Sequence, residues 1–262
     1  MSNLCKTFQS IARKTWARIG KGRRVQHQLL EDTLSDLACL QLKSKHPSEI
    51  ITRTFNKVQE GVTGADWEWW LSDPSRRLWR GLRVQAKVLN VASGRFEQLH
   101  YVTRRGIPQI DLLEADAARH RAVPLYALYL ESPMLLVRKN PQGWPCPSYP
   151  FTPQLFGCAI TSTSAVRSIN RRDGLHDVLP FAHPWHCLVC CNGSGGGSLP
   201  ARVDRFLLER RLRSREDSLV LSAAQLPLHV RRILNEPERN EVDVDPPDER
   251  IGRVTLISDA AI

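Results

Sequence analysis

Four side chains in the stretch GADWEWWLSDPSRRLWRGLRVQAKVL, residues 64–89, have the types and spacing to do chemistry together: Asp66, Glu68, Gln85 and Lys87. The stretch predicts two short strands joined by a turn-rich loop. Side chains alternate faces along a strand, so Asp66, Glu68 and Trp70 point one way and Trp67, Trp69 and Leu71 the other. On the second strand Gln85 and Lys87 share a face, opposite the apolar Val84, Ala86 and Val88. Pairing the two strands gathers two carboxylates, an amide and an ammonium on one side of a sheet, which is costly unless something uses them. A hard divalent cation, Mg2+ or Mn2+, takes oxygen ligands, and Asp66, Glu68 and the Gln85 carbonyl supply them. Such an ion lowers the pKa of a water, while Lys87 would position that water or steady a phosphorane-like transition state. The bland alternative is a half-exposed hairpin whose polar face meets only solvent.

The flanking elements must position these groups. A helix is predicted over residues 25–43, with Leu29, Leu30, Thr33, Leu34, Leu37 and Leu40 on its buried side and Glu31 and Asp32 early in it. Residues 50–56, β-branched and alternating, read as a first strand. Glu60 is a further carboxylate within reach of the hairpin, and Gly64 suits a close backbone approach. After the second hairpin strand, Pro108 and the apolar spacing of Ile110, Leu113, Ala117 and Ala118 predict a helix over 107–120 opened by Gln109. The run VPLYALYL, residues 123–130, reads as a strand covered on both faces.

An Asp on one strand followed by Gln85-Ala86-Lys87 on the next resembles the PD-(D/E)XK nuclease superfamily, and the Gln-x-Lys form is similar to that of Mrr-like restriction endonucleases. The Gly-Ala-Asp-Trp block followed by Gln-Ala-Lys also looks like the hallmark of a bacterial domain family of unknown function. The superfamily resemblance implies an α/β, restriction-endonuclease-like core running helix, three-stranded meander, helix, strand. It implies metal-dependent hydrolysis of nucleic acid, DNA in the first instance, and by analogy with Mrr-like enzymes a role in restriction or phage defence. It also implies that Glu31, on the first core helix, joins Asp66 as a metal ligand beside Glu68 and Gln85. A helical acid is otherwise a solvated charge favourable to the helix dipole. Members similar to RecB place a glutamine where Gln109 stands and a tyrosine four residues on; here that position is Leu113, so the pattern is half present.

The 262 residues carry a formal net charge of +10, which favours a polyanionic partner. No apolar run approaches the length of a membrane span, so no membrane partner is expected, and homo-oligomerisation stays open. Seven cysteines, an odd number, with no secretory leader, predict free thiols in a reducing cytoplasm. Residues 1–24 predict an amphipathic basic helix broken at Gly20 and Gly22, residues 25–170 the nuclease-like core, and residues 171–262 a C-terminal extension. Trp70, sharing the acidic face, and Arg167 are candidates for nucleic-acid contact. Trp67 and Trp69 belong to the core.

The extension holds His183, His186, Cys187 and Cys190. Their CxxC and histidine spacing fits a tetrahedral Zn2+ site, but the second CxxC of a zinc ribbon is missing, and small buried cysteines explain the patch as well. The run GSGGG, residues 193–197, lacks the Lys-Ser/Thr of a phosphate-binding loop and reads as a linker. An arginine-rich helix over 203–213, a short helix over 226–234, an acidic proline-containing loop over 236–249 and an edge strand over 253–258 complete the chain. Two rivals to the enzyme remain: a non-catalytic binder of nucleic acid or protein, and a zinc-stabilised interaction module.

Overall fold

The computed structural model describes residues 3–54, 65–136, 149–190, 197–214, 220–235 and 252–258; Glu60, Gly64, the acidic loop and most of the glycine run lie outside them. The fold is mixed α/β, built on an open mixed sheet. Its strands are β1 (Ile50–Thr54), β2 (Trp67–Ser72), β3 (Leu78–Val88), β4 (Val123–Tyr129), β5 (Cys158–Ser162), β6 (His183–Pro184), β7 (Leu221–Ser222) and β8 (Arg253–Ser258). They lie in the order β1-β8-β2-β3-β4-β5-β6, with β7 pairing the start of β3. The expected hairpin forms: β2 and β3 are antiparallel, Trp67 opposite Val84 and Glu68 opposite Arg83. β4 runs parallel to β3, with Gln85 beside Tyr126 and Lys87 beside Leu128.

Two sequence expectations are corrected here. The three-strand meander is interrupted, because β8 lies between β1 and β2, antiparallel to the first and parallel to the second. β8 is therefore an interior strand, not an edge, and all six of its residues are buried. Its alternating Val254 and Leu256 supply one core face and Ile257 the other, which is what a strand covered on both sides requires. The predicted boundary near residue 170 thus does not divide the sheet.

One face of the sheet, carrying Trp67, Trp69, Leu71, Leu82, Val84 and Ala86, is covered by helix α1 (Asn3–Arg24), helix α2 (Glu31–Lys45) and the 199–209 helix. α1 buries Leu4, Phe8, Ile11, Ala12 and Ile19 at helical spacing. It runs through the expected break at Gly20 and Gly22, and at Gly22 the backbone is closely packed: a Cβ there would meet the His27 carbonyl oxygen at 2.5 Å. Arg23 then anchors the helix end by donating to Glu131 Oε2 and to the carbonyls of Val91 and Glu131. α2 starts six residues later than predicted, at Glu31; its buried stripe includes Leu34, Ala38 and Leu42, while Leu30, its N-cap, and Leu40 face solvent. The opposite face of the sheet carries Trp70, Trp79, Tyr126 and Leu128 and packs against helix α3 (Gln109–Arg119), the 163–168 helix and the 228–235 helix. Among the described residues no helix is long and apolar enough to cross a membrane.

Cysteine usage also departs from expectation. Cys5 and Cys190 form a disulfide tying α1 to the 187–190 helix, while Cys39, Cys158 and Cys187 are buried thiols outside any disulfide. Burial pushes the Cys39 and Cys158 thiols up to about 12, so both behave as small apolar side chains.

Candidate active site

The strand period brings Asp66, Gln85 and Lys87 to one face, and two helix starts close on them from either side. Asp66 enters β2 with its N–H bonded to the Val84 carbonyl at 3.0 Å. Its Oδ2 accepts from the Ala86 N–H at 2.9 Å and from Gln85 Nε2 at 2.5 Å. The β3 backbone and one β3 side chain thus hold the carboxylate in place. Glu31, the first residue of α2, accepts from the Val88 N–H through Oε1 at 3.3 Å. At the start of α3, Gln109 is placed by its N–H to the Tyr101 carbonyl, and its Oε1 accepts from Lys87 Nζ at 2.9 Å.

These groups line one open cavity of about 240 Å3, together with Asp32, Ala86, Gln98 and Tyr101. Lys87 is 6% exposed. Burial lowers its pKa from the ordinary lysine value, and the charges of Asp66 and Glu31 oppose that shift. Gln85 Oε1 is buried and accepts no hydrogen bond among the described residues. An orphaned carbonyl oxygen beside carboxylates is a site for a cation or a water.

The residues present fit a loosely held hard cation. Asp66, Glu31 and Gln85 offer oxygen donors only, and Mg2+ is commonly bound by one or two carboxylates with water and substrate phosphate completing its shell. Among the described residues no cluster of three or more His, Cys, Asp or Glu side chains is arranged to hold a metal ion.

Other candidates fall elsewhere. Glu68 shares the face of Asp66 but lies deeper and does not line the cavity. It is fully buried, 3.4 Å from Arg83 and accepting from His229 at 2.8 Å and from Trp70 Nε1 at 2.5 Å. Burial would raise its pKa, but the Arg83 charge and the His229 and Trp70 hydrogen bonds prevail and hold it at about 2. Its role is a structural anion for Arg83, not a cavity ligand. Trp70 is fully buried, its ring packed over Gly81, so it has no face to offer a base. Arg167 is exposed, yet its guanidinium is engaged by Asp111 and Glu114 at 2.5 and 2.6 Å, which offsets the charge a phosphate would need.

The zinc set does not survive as a set. Cys190 is in the disulfide with Cys5 and so is no thiolate ligand. His183 stacks edge-on with Phe206, and burial with the nearby Arg210 charge lowers its pKa to about 4. His186 is fully buried, 3.8 Å from the Cys187 sulfur.

Sequence reasoning missed Gln98 and Tyr101, which reach the cavity from the segment between β3 and α3. Tyr101 carried a usable signal, an aromatic a few residues before the α3 start. It also missed the buried Arg83, which joins Glu68 on β2 to Asp116 on α3 and so fixes the angle at which α3 meets the sheet.

A family model described as "Family of unknown function (DUF6615)" matches residues 4–261, and the chain belongs to that family. No curated protein and no solved structure matches the chain.

Proposed function

We propose that this member of the DUF6615 family is a divalent-cation-dependent nuclease that hydrolyses phosphodiester bonds in nucleic acid. The observation that carries the reading is convergence: Glu31, Asp66, Gln85, Lys87 and Gln109, from four separate stretches of chain, line one cavity. Resemblance to the PD-(D/E)XK superfamily assigns chemistry to four of those positions, and the helix, strand, hairpin, helix, strand order agrees with a restriction-endonuclease-like core. The net charge of +10 suits a polyanionic substrate.

In this reading Asp66, Glu31 and the Gln85 amide oxygen hold the cation, which when bound neutralises phosphate charge and eases deprotonation of the attacking water. Lys87 presents its ammonium to the phosphate, where negative charge grows as water attacks. Gln109 aims Lys87 from α3, and the Ala86 N–H fixes Asp66, so both groups are oriented before substrate arrives. The neutral Gln85 makes the cation weakly bound and dependent on substrate for further ligands.

The test is incubation of the full chain with labelled single-stranded, duplex and branched DNA and with RNA, with Mg2+ or Mn2+ and with chelator. The reading expects strand scission with the ion and none with chelator. Binding without scission on every substrate would instead favour the second reading, a non-catalytic nucleic-acid-binding module on the same fold. The neutral Gln85, standing where a carboxylate would bind the cation more tightly, is what favours that alternative.

A further inference from the structure

The segment between β3 and α3 ends in a small hairpin, residues 101–108. Val102 bridges Pro108, the Thr103 N–H bonds the Ile107 carbonyl at 2.9 Å, and the Gly106 N–H bonds the Thr103 carbonyl at 2.9 Å. Gly106 takes the turn at φ +76, a conformation L side chains rarely adopt. This short hairpin exposes Tyr101, Val102 and Ile107, at 42%, 50% and 40%. Its tip carries Arg104 and Arg105, both exposed and with no ion pair among the described residues. Its base is fixed, because the Gln109 N–H holds the Tyr101 carbonyl and Tyr101 lines the cavity.

An aromatic ring lining the cavity, a pair of apolar side chains and two unneutralised guanidinium groups on the same hairpin have a specific chemical match. A nucleobase stacks on the ring, and neighbouring phosphates meet the arginines. In a duplex the bases are stacked inward, so a ring beside the backbone reaches one only if that base is unpaired. We infer that the 101–108 hairpin is a recognition element for unpaired nucleic-acid strand, with a base stacked on Tyr101 and neighbouring phosphates met by Arg104 and Arg105 in the turn at the hairpin tip. This rests on the proposed function for what the cavity does, but the binding surface stands on the hairpin itself.

The experiment is a fluorescence-anisotropy titration of the full chain, in chelator so that nothing is cut. The probes are labelled 15-nucleotide oligo-dT and oligo-U and a 15-base-pair duplex. The expected result is at least tenfold tighter binding of a single strand than of the duplex, and the two single strands report whether DNA or RNA is preferred. Tyr101→Ala weakens single-strand binding about five- to a hundredfold and Tyr101→Phe keeps it. Arg104→Ala with Arg105→Ala weakens it further and flattens the salt dependence by about 1.4 in log–log slope. Circular dichroism confirms that each variant folds, which the exposure of all three side chains favours. Equal binding of duplex and single strand, no binding of either, or an unchanged affinity in Tyr101→Ala overturns the inference. Scission of duplex that is indifferent to Tyr101 would sink it while leaving the nuclease intact; Tyr101-dependent binding without scission would do the reverse.

Discussion

Lys87 on β3 donates a 2.9 Å hydrogen bond to Gln109 on the first turn of α3, so the ammonium lining the cavity is aimed by a neutral side chain from another element. Because Gln109 carries no charge, it orients Lys87 without adding to the charges of Asp66 and Glu31, which oppose the lowering of its pKa by burial. Gln109→Ala is expected to lower kcat about 10- to 100-fold with little change in KM, as expected of a positioning residue. Gln109→Glu places a carboxylate against the ammonium. The alkaline limb of the rate profile, which reports loss of the Lys87 proton below the ordinary lysine value, then moves to higher pH. An alkaline limb that stays put in Gln109→Glu would argue against a working Lys87 cation.

Cation binding is read by titrating Mn2+ into the full chain and following either heat or the thermal midpoint. Asp66→Ala is expected to lose binding at least tenfold. Gln85→Glu is the sharper variant, because Gln85 Nε2 now donates to Asp66 at 2.5 Å. A carboxylate there repels Asp66 until a cation arrives. The variant is therefore less stable than the parent without metal and binds Mn2+ more tightly, so its metal-induced rise in midpoint exceeds that of the parent.

Glu68 gives a pH prediction independent of the cavity. Its pKa is held at about 2 against an ordinary 4.5. Across that window the unfolded chain binds more protons than the folded one. The stabilisation is thus complete above about pH 4.5 and lost as the pH falls toward 2, an effect of roughly 3 kcal/mol. Glu68→Gln should flatten that acid limb in denaturant melts. At neutral pH it costs about 3 to 5 kcal/mol, because fully buried Arg83 loses one of its charged partners and keeps Asp116.

Gly81 lies under Trp70, and a Cβ there would stand 2.6 Å from the Trp70 ring. Gly81→Ala is expected to destabilise the chain by about 1 to 3 kcal/mol through overpacking. Adding Trp70→Phe, which shortens the ring, should recover part of the loss; a strictly additive double variant would show that the two residues do not share the space.

How much of this was legible in the sequence depends on the range of the physics. Period-two alternation placed Asp66, Gln85 and Lys87 together correctly, because strand geometry and a short hairpin are local. The α3 start was legible from Pro108 and the apolar spacing behind it. Alternation gives the face but not the depth, so Glu68 and Trp70 looked like site residues until Arg83, His229 and Gly81 were seen to occupy them. The insertion of β8 between β1 and β2 and the Cys5–Cys190 bond join residues about two hundred positions apart. Such pairings are set by how the whole sheet and helix layer pack, and no local spacing reports them. Leu30 and Leu40 misled for a simpler reason: Leu30 precedes the helix as its N-cap, and Leu40 falls on the side away from buried Leu34, Ala38 and Leu42.

The most direct test compares single-turnover scission by the parent chain, Asp66→Ala and Lys87→Ala, with Mg2+ present and with folding verified by circular dichroism. The account predicts a metal-dependent rate in the parent and a loss of at least about 100-fold in each variant, within the range removal of one electrostatic stabiliser produces. A parent that never cuts, or variants that cut at the parental rate, would contradict it.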